Sequence, residues 1–366
     1  MNILILTTHV NTGGITSYIL TLGHSLVKSG HKVWVGSSGG DCVLRLEAAG
    51  IQHVKLDIRT KSEVHPKLLL SLPALVKLVQ KEKIDIIHAQ TRVTQVMGHW
   101  LGWITDVKMV TTCHGFFKPR WFRKTFPCWG SAVIAISNPV AQHLNVDFGV
   151  SQHQIYLIPN GIDLECFVLT NEERRRAARQ GLDIKGGVPT IGIIARLSDV
   201  KGIDILIKAM PFILNKIPSA QLMIVGQGPE ESNLKKLTQD LILSSKIHFI
   251  NTTGQTQDIL PAFDVFVMPS LMEGLGLSVM EAQACGIPVV ASRVGGLFDL
   301  IEDGENGHLV EPKDPLGLAQ RIVEVLRHPD HAAMLAGRAR SNIEKYFSAQ
   351  LMAGKTLEVY EQYSRR

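Results

Sequence analysis

Several things are scarce in this sequence, and each absence closes a door. Its five cysteines (Cys42, Cys113, Cys128, Cys166 and Cys285) are an odd, scattered set without a CxxC pair, which argues against a disulfide framework or a zinc site. No uninterrupted apolar run approaches the roughly 20 residues that span a bilayer. The chain starts on the strand-like run MNILILTTHV with no basic segment ahead of it, so no secretory signal is expected and a cytoplasmic protein is. No two aspartates stand two residues apart, so the Asp-x-Asp cradle that holds a divalent metal on a diphosphate is missing. There is no GxxxxGKS/T loop, which excludes a P-loop NTPase. The histidines are dispersed and offer no evident ligand cluster for a transition metal.

Acidic residues are the most unevenly distributed absence. Residues 1–165 carry 16 Lys and Arg against 10 Asp and Glu, whereas residues 166–366 carry 22 against 23, so the net charge of +5 belongs to the first half. Residues 107–146 contain no acid at all, yet include Lys108, Lys118, Arg120, Arg123 and Lys124. Such a patch without a recognised module is weak support for nucleic-acid binding, which is not expected.

What is present is a repeated pattern. With 366 residues and 45% hydrophobic content, the chain exceeds one ordinary core and reads as two domains. The runs NILILTT, KVWVGSS, QHVKLDI, IDIIHAQ, KMVTTCH, AVIAIS and IYLIPNG predict strands, most separated by helical periods such as GITSYILTLGHSLVKSG. Runs apolar on both faces belong to parallel strands covered by helices, which makes this α/β and doubly wound. The pattern stalls in CFVLTNEERRRAARQGLDIKGGV, a charge run ending in Gly-Gly, and the joint is placed near its start at 165/166. A second series follows in TIGIIARL, QLMIVGQG, IHFI, DVFVMPS, PVVAS and GHLV. Ligands of such sheets lie at strand carboxyl ends, so chemistry is expected in the strand-to-helix turns.

In HVNTGGITSYI, Gly13 and Gly14 lie between a strand and a helix whose first amides could take an anion or a sugar hydroxyl; a plain tight turn is the other reading. In IIARLSDVKGID, Arg196 leaves a strand end and Lys201 stands where the next helix begins, two cations suited to a diphosphate unless both are merely solvated. The stretch EGLGLSVME places Glu273 in a loop and Glu281 in the second turn of a helix starting near Gly276 or Leu277 and ending near Cys285. Amides of Leu275, Gly276 and Leu277 would face phosphate or sugar oxygens, and a carboxylate such as Glu281 suits a ribose diol. Gly295 and Gly296 form another turn before a helix, and VGQGPEE lacks the third glycine of a dinucleotide fingerprint. His114, just past a strand in TTCHGFF, is the one histidine placed for a ligand, though a lone histidine is more often structural.

Taken together, IPNGIDLECF, ARLSDVKGID, VGQGP, PSLMEGLGLSVMEAQACGIPVVAS and VGGLFDLIEDGENGHLV resemble the retaining GT-B glycosyltransferases called group 1 or family 4. The N-terminal half matches more loosely, through Gly13, Gly14 and the His114 turn. The resemblance implies two Rossmann-like doubly wound parallel-sheet domains facing a cleft: residues 1–165 for the acceptor and 166–349 for the nucleotide sugar, with a last helix near 350–366 packing back on the first. It implies that Arg196 and Lys201 bind the donor diphosphate and that Glu281 takes the ribose hydroxyls. Glu273, Gly274, Leu275, Gly276 and Leu277 would then lie along sugar and phosphate, Gly14 would let the phosphates approach, and His114 would contact the sugar. It further implies transfer of a hexose or N-acetylhexosamine from a UDP-sugar, or a GDP-sugar, to a glycan or lipid-linked acceptor of the cell envelope, with no metal or other cofactor. A nucleotide-sugar epimerase or hydrolase of the same fold is the alternative; a non-catalytic binding module fits the intact charged set less well. FFKPRWFRK, Phe116 to Lys124, interleaves aromatics with Lys118, Arg120, Trp121, Arg123 and Lys124, a pattern suited to an acceptor on an anionic membrane surface, hence peripheral attachment on the cytoplasmic face.

Overall fold

The structure is a computed structural model describing residues 1–60, 62–119, 121–251 and 255–364, the side chain of Phe122 excepted. Two compact units divide it: Met1–Gly161 together with the chain from Ala349 onward, and Ile162–Ser348.

Each of the thirteen apolar runs holds a strand. In the first unit these are β1 (Asn2–Leu6), β2 (Lys32–Ser37), β3 (Gln52–Lys55), β4 (Ile86–Ala89), β5 (Met109–Cys113), β6 (Ala132–Ala135) and β7 (Ile155–Leu157). In the second they are β8 (Thr190–Ile194), β9 (Gln221–Val225), β10 (Ile247–Ile250), β11 (Val265–Met268), β12 (Val289–Ser292) and β13 (His308–Val310). The sheets run β3-β2-β1-β4-β5-β6-β7 and β10-β9-β8-β11-β12-β13, parallel throughout. In both sheets the strand order reverses once, between β1 and β4 and between β8 and β11. Helices leaving a reversal point diverge to opposite faces and leave a crevice at the strand carboxyl ends.

Strand β1 shows why the runs are apolar throughout. Ile3 and Ile5 join one core with Leu22 and Leu26 of the helix Gly14–Lys28, while Leu4 and Leu6 point the other way into a core with Leu68 and Leu75 of the helix Pro66–Lys81. Alternation in a strand sends neighbours to opposite faces, so a sheet covered on both sides needs both to be apolar. The last helix, Ala349–Tyr363, completes the first of these cores with Met352, Ala353, Val359 and Tyr360, all buried. At about 1.5 to 3 kcal/mol for each large apolar side chain, that burial holds the chain's end onto the first unit.

The charge run NEERRRAARQG, read from sequence as part of the joint, is a helix, Glu172–Gly181, in the second unit. Asn171 caps it through the Arg174 amide, and its Arg175 and Arg179 both pair with Asp264. Charges at positions four apart lie on one helical face, and a single buried-edge acid gathers them.

Candidate active site

The reversal point of the second sheet gathers the residues that its turns predicted. Arg196 and Lys201 follow β8, and Glu273 follows β11. Gly202 makes this possible: its φ of +61° is left-handed, and a Cβ there would come within 2.0 Å of the Pro269 carbonyl oxygen. The glycine lets the turn after β8 lie directly on the turn after β11, where the Leu271 amide donates to the Val200 carbonyl over 2.8 Å.

The outcome is an ion pair between side chains 72 residues apart, Lys201 Nζ donating to Glu273 Oε2 over 2.5 Å. Both side chains are largely covered, at 21% and 13% exposure, and the fully buried Ser270 donates to the same carboxylate oxygen over 3.2 Å. Sequence reasoning gave the two charges separate jobs; the structure joins them. An ammonium has three N–H donors, so Lys201 can hold Glu273 and still reach a phosphate oxygen. Arg196, in contrast, is exposed, and no acid pairs with it among the described residues.

The helix Leu277–Ala284 begins at Gly276, whose φ is +103° and where a Cβ would press within 2.8 Å of Leu297. Among the described residues no side chain caps this start, so the first-turn amides remain directed at whatever lies in front of them. Gly296 packs so closely that a Cβ would meet the Gly274 carbonyl at 2.1 Å, and its amide donates to the Glu273 carbonyl over 3.0 Å. The turn after β12 therefore fixes the Glu273–Gly276 loop from behind. One turn into the helix, Glu281 is 9% exposed and accepts from Thr256 Oγ1 over 3.0 Å.

In the first unit, Gly14 opens its helix at the β1/β4 reversal and is exposed. The preceding turn is anchored by Asp41, which accepts from the Thr12 amide over 2.7 Å and from the Thr12 hydroxyl over 3.2 Å. His114 follows β5 and is half-buried; its Nε2 lies 2.8 Å from Gln90 Oε1, and its ring meets the edge of Tyr18 at 4.8 Å between centroids. With the Gln90 carbonyl accepting, His114 carries its proton on Nε2 and offers Nδ1 as an acceptor. Behind it lies buried His88, with Nδ1 2.6 Å from the Tyr360 hydroxyl and Nε2 2.7 Å from Thr112 Oγ1. Burial pushes both imidazoles down to about 3, with the His114 ring adding to the effect at His88, so both are neutral at ordinary pH.

The sign of this shift makes a prediction. An unfolded histidine takes up a proton near its ordinary value of about 6.5 while folded His88 refuses it until about 3, so stability is full above about 6.5 and drains as pH falls through that window. The slope from His88 alone should be about 1.4 kcal/mol per pH unit. Urea titrations at pH 7, 5.5 and 4.5 should show it, and His88→Gln should flatten part of it; a stability unchanged from pH 7 to 4.5 excludes the idea.

Gln90, Ser270 and Thr256 were missed by sequence reasoning. The first two sit in turns directly after β4 and β11, so the rule that found His114 would have found them had polar residues without charge been weighed. Nothing local marks Thr256.

The cationic aromatic stretch is corrected. Arg123 is only 7% exposed, its guanidinium 4.1 Å over the Phe117 ring and 6.0 Å from those of Trp129 and Phe148. A planar, weakly hydrated cation stacks in an aromatic cage rather than facing water. Phe116 packs on His143, whose Nε2 accepts from the Phe117 amide over 3.0 Å. What remains at the surface is Lys118, Lys124 and the 77% exposed Trp121; Arg120 lies outside the described residues. No helix of the described residues is long and apolar enough to cross a membrane. His308, Glu324 and His331, dispersed in sequence, each bring one ligand atom within 4.8 Å of the others in the fold.

Comparison with known proteins finds similarity across both units. Residues 174–342 match the profile of the group 1 glycosyl transferases, and residues 12–166 that of glycosyltransferase family 4. The chain is 30% identical over 275 residues to a UDP-Gal:α-D-GlcNAc-diphosphoundecaprenol α-1,3-galactosyltransferase of Escherichia coli, covering 71% of this chain and 70% of that protein. It is 34% identical over 218 residues to a GDP-mannose-dependent monoacylated α-(1-6)-phosphatidylinositol monomannoside mannosyltransferase of Corynebacterium glutamicum, a stretch spanning 57% of this chain and only 56% of that relative. Among solved structures, Anabaena HepE in complex with UDP and glucose superposes with a TM-score of 0.88 at 23% identity, covering 99% of this chain and 100% of that one.

Proposed function

The chain belongs to the group 1 and family 4 glycosyltransferases and has their GT-B fold, and on that premise we propose that it moves a hexose or N-acetylhexosamine from a nucleoside-diphosphate sugar to a glycan or lipid-linked acceptor of the cell envelope. The observation that carries this is the reversal point of the second sheet, where Arg196, the Lys201–Glu273 pair and an uncapped helix start lie on adjoining turns. A diphosphate leaving group needs two things, compensation of the one negative charge that grows on it as the glycosidic bond breaks, beside those it already carries, and fixed donors near its oxygens. Arg196 supplies a free guanidinium fork and Lys201 an ammonium already partly dehydrated by its partner. The amides of Leu275, Gly276 and Leu277 take the remaining oxygens, with Gly274 beside them, and Glu281, steadied by Thr256, accepts the ribose hydroxyls. Glu273 lies along the transferred sugar; in the first unit, His114, neutral, keeps Nδ1 as an acceptor for a hydroxyl.

These charges do the work of a metal, so transfer proceeds without one and with retention, the acceptor attacking the face the diphosphate leaves. UDP is the favoured nucleotide, on the strength of the Escherichia coli relative and the UDP complex of the structural neighbour; the mannosyltransferase relative keeps GDP in consideration. Calorimetry of UDP and GDP against the purified chain, followed by NMR of the product anomer, tests this. UDP should bind and be released only when an acceptor is present; free sugar or an isomer formed from donor alone would favour the epimerase or hydrolase reading instead. The acceptor's surface is proposed to include Lys118, Trp121 and Lys124, which would hold the protein peripherally on anionic lipid. Lys118→Ala/Trp121→Ala/Lys124→Ala should then lose co-sedimentation with phosphatidylglycerol vesicles, and failure of the wild type to sediment ends that part.

A further inference from the structure

We propose that His308, Glu324 and His331 bind one divalent late-transition ion, of the zinc, cobalt or nickel class, at a site separate from sugar transfer. His308 opens the edge strand β13, Glu324 lies in the last turn of the helix Pro315–Arg327, and His331 lies in the first turn of the helix Pro329–Tyr346. One ligand atom from each falls within 4.8 Å of the other two. Three donors on a tetrahedral ion with bonds near 2.1 Å stand about 3.4 Å apart, so closure from within 4.8 Å needs a shift of at most about 1.4 Å, toward which the exposed His331 ring can move.

A second, independent observation points to a ligand. His308 is 2% exposed, and neither of its ring nitrogens makes a hydrogen bond among the described residues. Nδ1 stands 3.7 Å from Asp303 Oδ1, beyond hydrogen-bond reach. A buried imidazole with both nitrogens unpartnered costs stability that an apolar residue at the head of β13 would avoid, so a purely structural role explains it poorly. A bound ion supplies the missing partner. With Nε2 on the metal, Nδ1–H faces the Asp303 carboxylate, the outer arrangement that orients metal-bound histidines.

The surrounding charges permit this. Arg321 donates to Glu324 Oε2 over 2.8 Å and opposes a cation, but leaves the other carboxylate oxygen to coordinate. Asp303 is engaged by Arg293 and by the Leu309 amide and balances Arg321. Two imidazoles and one carboxylate favour borderline ions over magnesium or calcium, which prefer oxygen-only shells. The side of His331 open to solvent provides the fourth position, to water.

Topology separates this site from the donor turns. His308 begins its strand, and Glu324 ends the helix that returns from it, so both belong to the amino ends of the sheet; Arg196, Lys201 and Glu273 follow carboxyl ends. The ion would act as a staple of the edge strand onto the last two helices of the second unit.

The full chain without an affinity tag, stripped with EDTA, should take up one zinc ion by calorimetry, and one cobalt ion with the visible absorption of a four-coordinate site. Zinc should raise Tm reversibly, since it binds the native state. His331→Ala, at an exposed position that folding does not need, should weaken zinc at least 30-fold, as should Glu324→Gln, whereas Arg196→Ala should bind zinc as the wild type does. No uptake by the wild type, or uptake unchanged in both His331→Ala and Glu324→Gln, overturns the site.

Discussion

Replacement of Arg196 by alanine should lower turnover about 10³-fold while leaving the fold intact. The expectation comes from where the residue stands. Arg196 leaves the carboxyl end of β8 at the reversal point of its sheet, exposed and without an acid partner among the described residues. A surface side chain of this kind contributes within about 0.5 kcal/mol to stability, so Tm and urea midpoint should not move. Its contribution to transfer is different in kind, because the diphosphate gains negative charge only as the glycosidic bond breaks. A preorganised donor aimed at that developing charge is worth about 4 kcal/mol of barrier, which corresponds to the stated loss. Arg196→Lys keeps the charge but not the bidentate fork and should recover only part of the activity. Initial rates of nucleoside-diphosphate release at saturating donor, beside thermal melts of each variant, make the comparison. Activity within tenfold of the wild type would remove Arg196 from the site and leave the diphosphate without its principal cation.

How much of this was visible in the chain depends on whether the governing interactions are local. The central strands could be marked because a parallel strand covered on both faces needs an unbroken apolar run, as in Ile3 to Leu6, whereas the partly exposed edge strands β3 and β7 were marked by their place in the repeat. The site turns were visible for the same reason: once strands are placed, Arg196, Glu273 and His114 stand in the turns just past their carboxyl ends, and the start of the Glu281 helix is announced by Gly276. Pairings across the chain left no trace. Nothing near Lys201 names Glu273 as its partner, and the two were given separate tasks until the Gly202 contact brought their turns together. Arg123 and Lys124 are neighbours of the same charge, yet one stacks in an aromatic cage and the other meets water, because a short helix turns them to different sides. His308, Glu324 and His331 come together only because a helical hairpin returns to the strand that precedes it.

The Lys201–Glu273 pair should reveal itself as one unit rather than two residues. In Lys201→Ala the Glu273 carboxylate keeps, among the described residues, only the Ser270 hydroxyl in a position 13% exposed, and an under-compensated charge there should cost about 2 kcal/mol of stability. Glu273→Gln leaves the ammonium with an amide oxygen to contact and should cost less. Lys201→Ala/Glu273→Gln removes both charges and should regain much of the stability lost in Lys201→Ala, which is the signature of coupling in a double-mutant cycle. Turnover should fall about 10²- to 10³-fold in each single variant, one losing a phosphate donor and the other a group along the sugar. Because the lysine's position depends on the glutamate, the double variant should fall by far less than the product of the two losses. Urea midpoints and rates for the four proteins decide the matter. Stability costs that simply add, together with rate losses that multiply, would show that the two side chains act independently, and that the donor meets a free ammonium rather than one held in place by its neighbour.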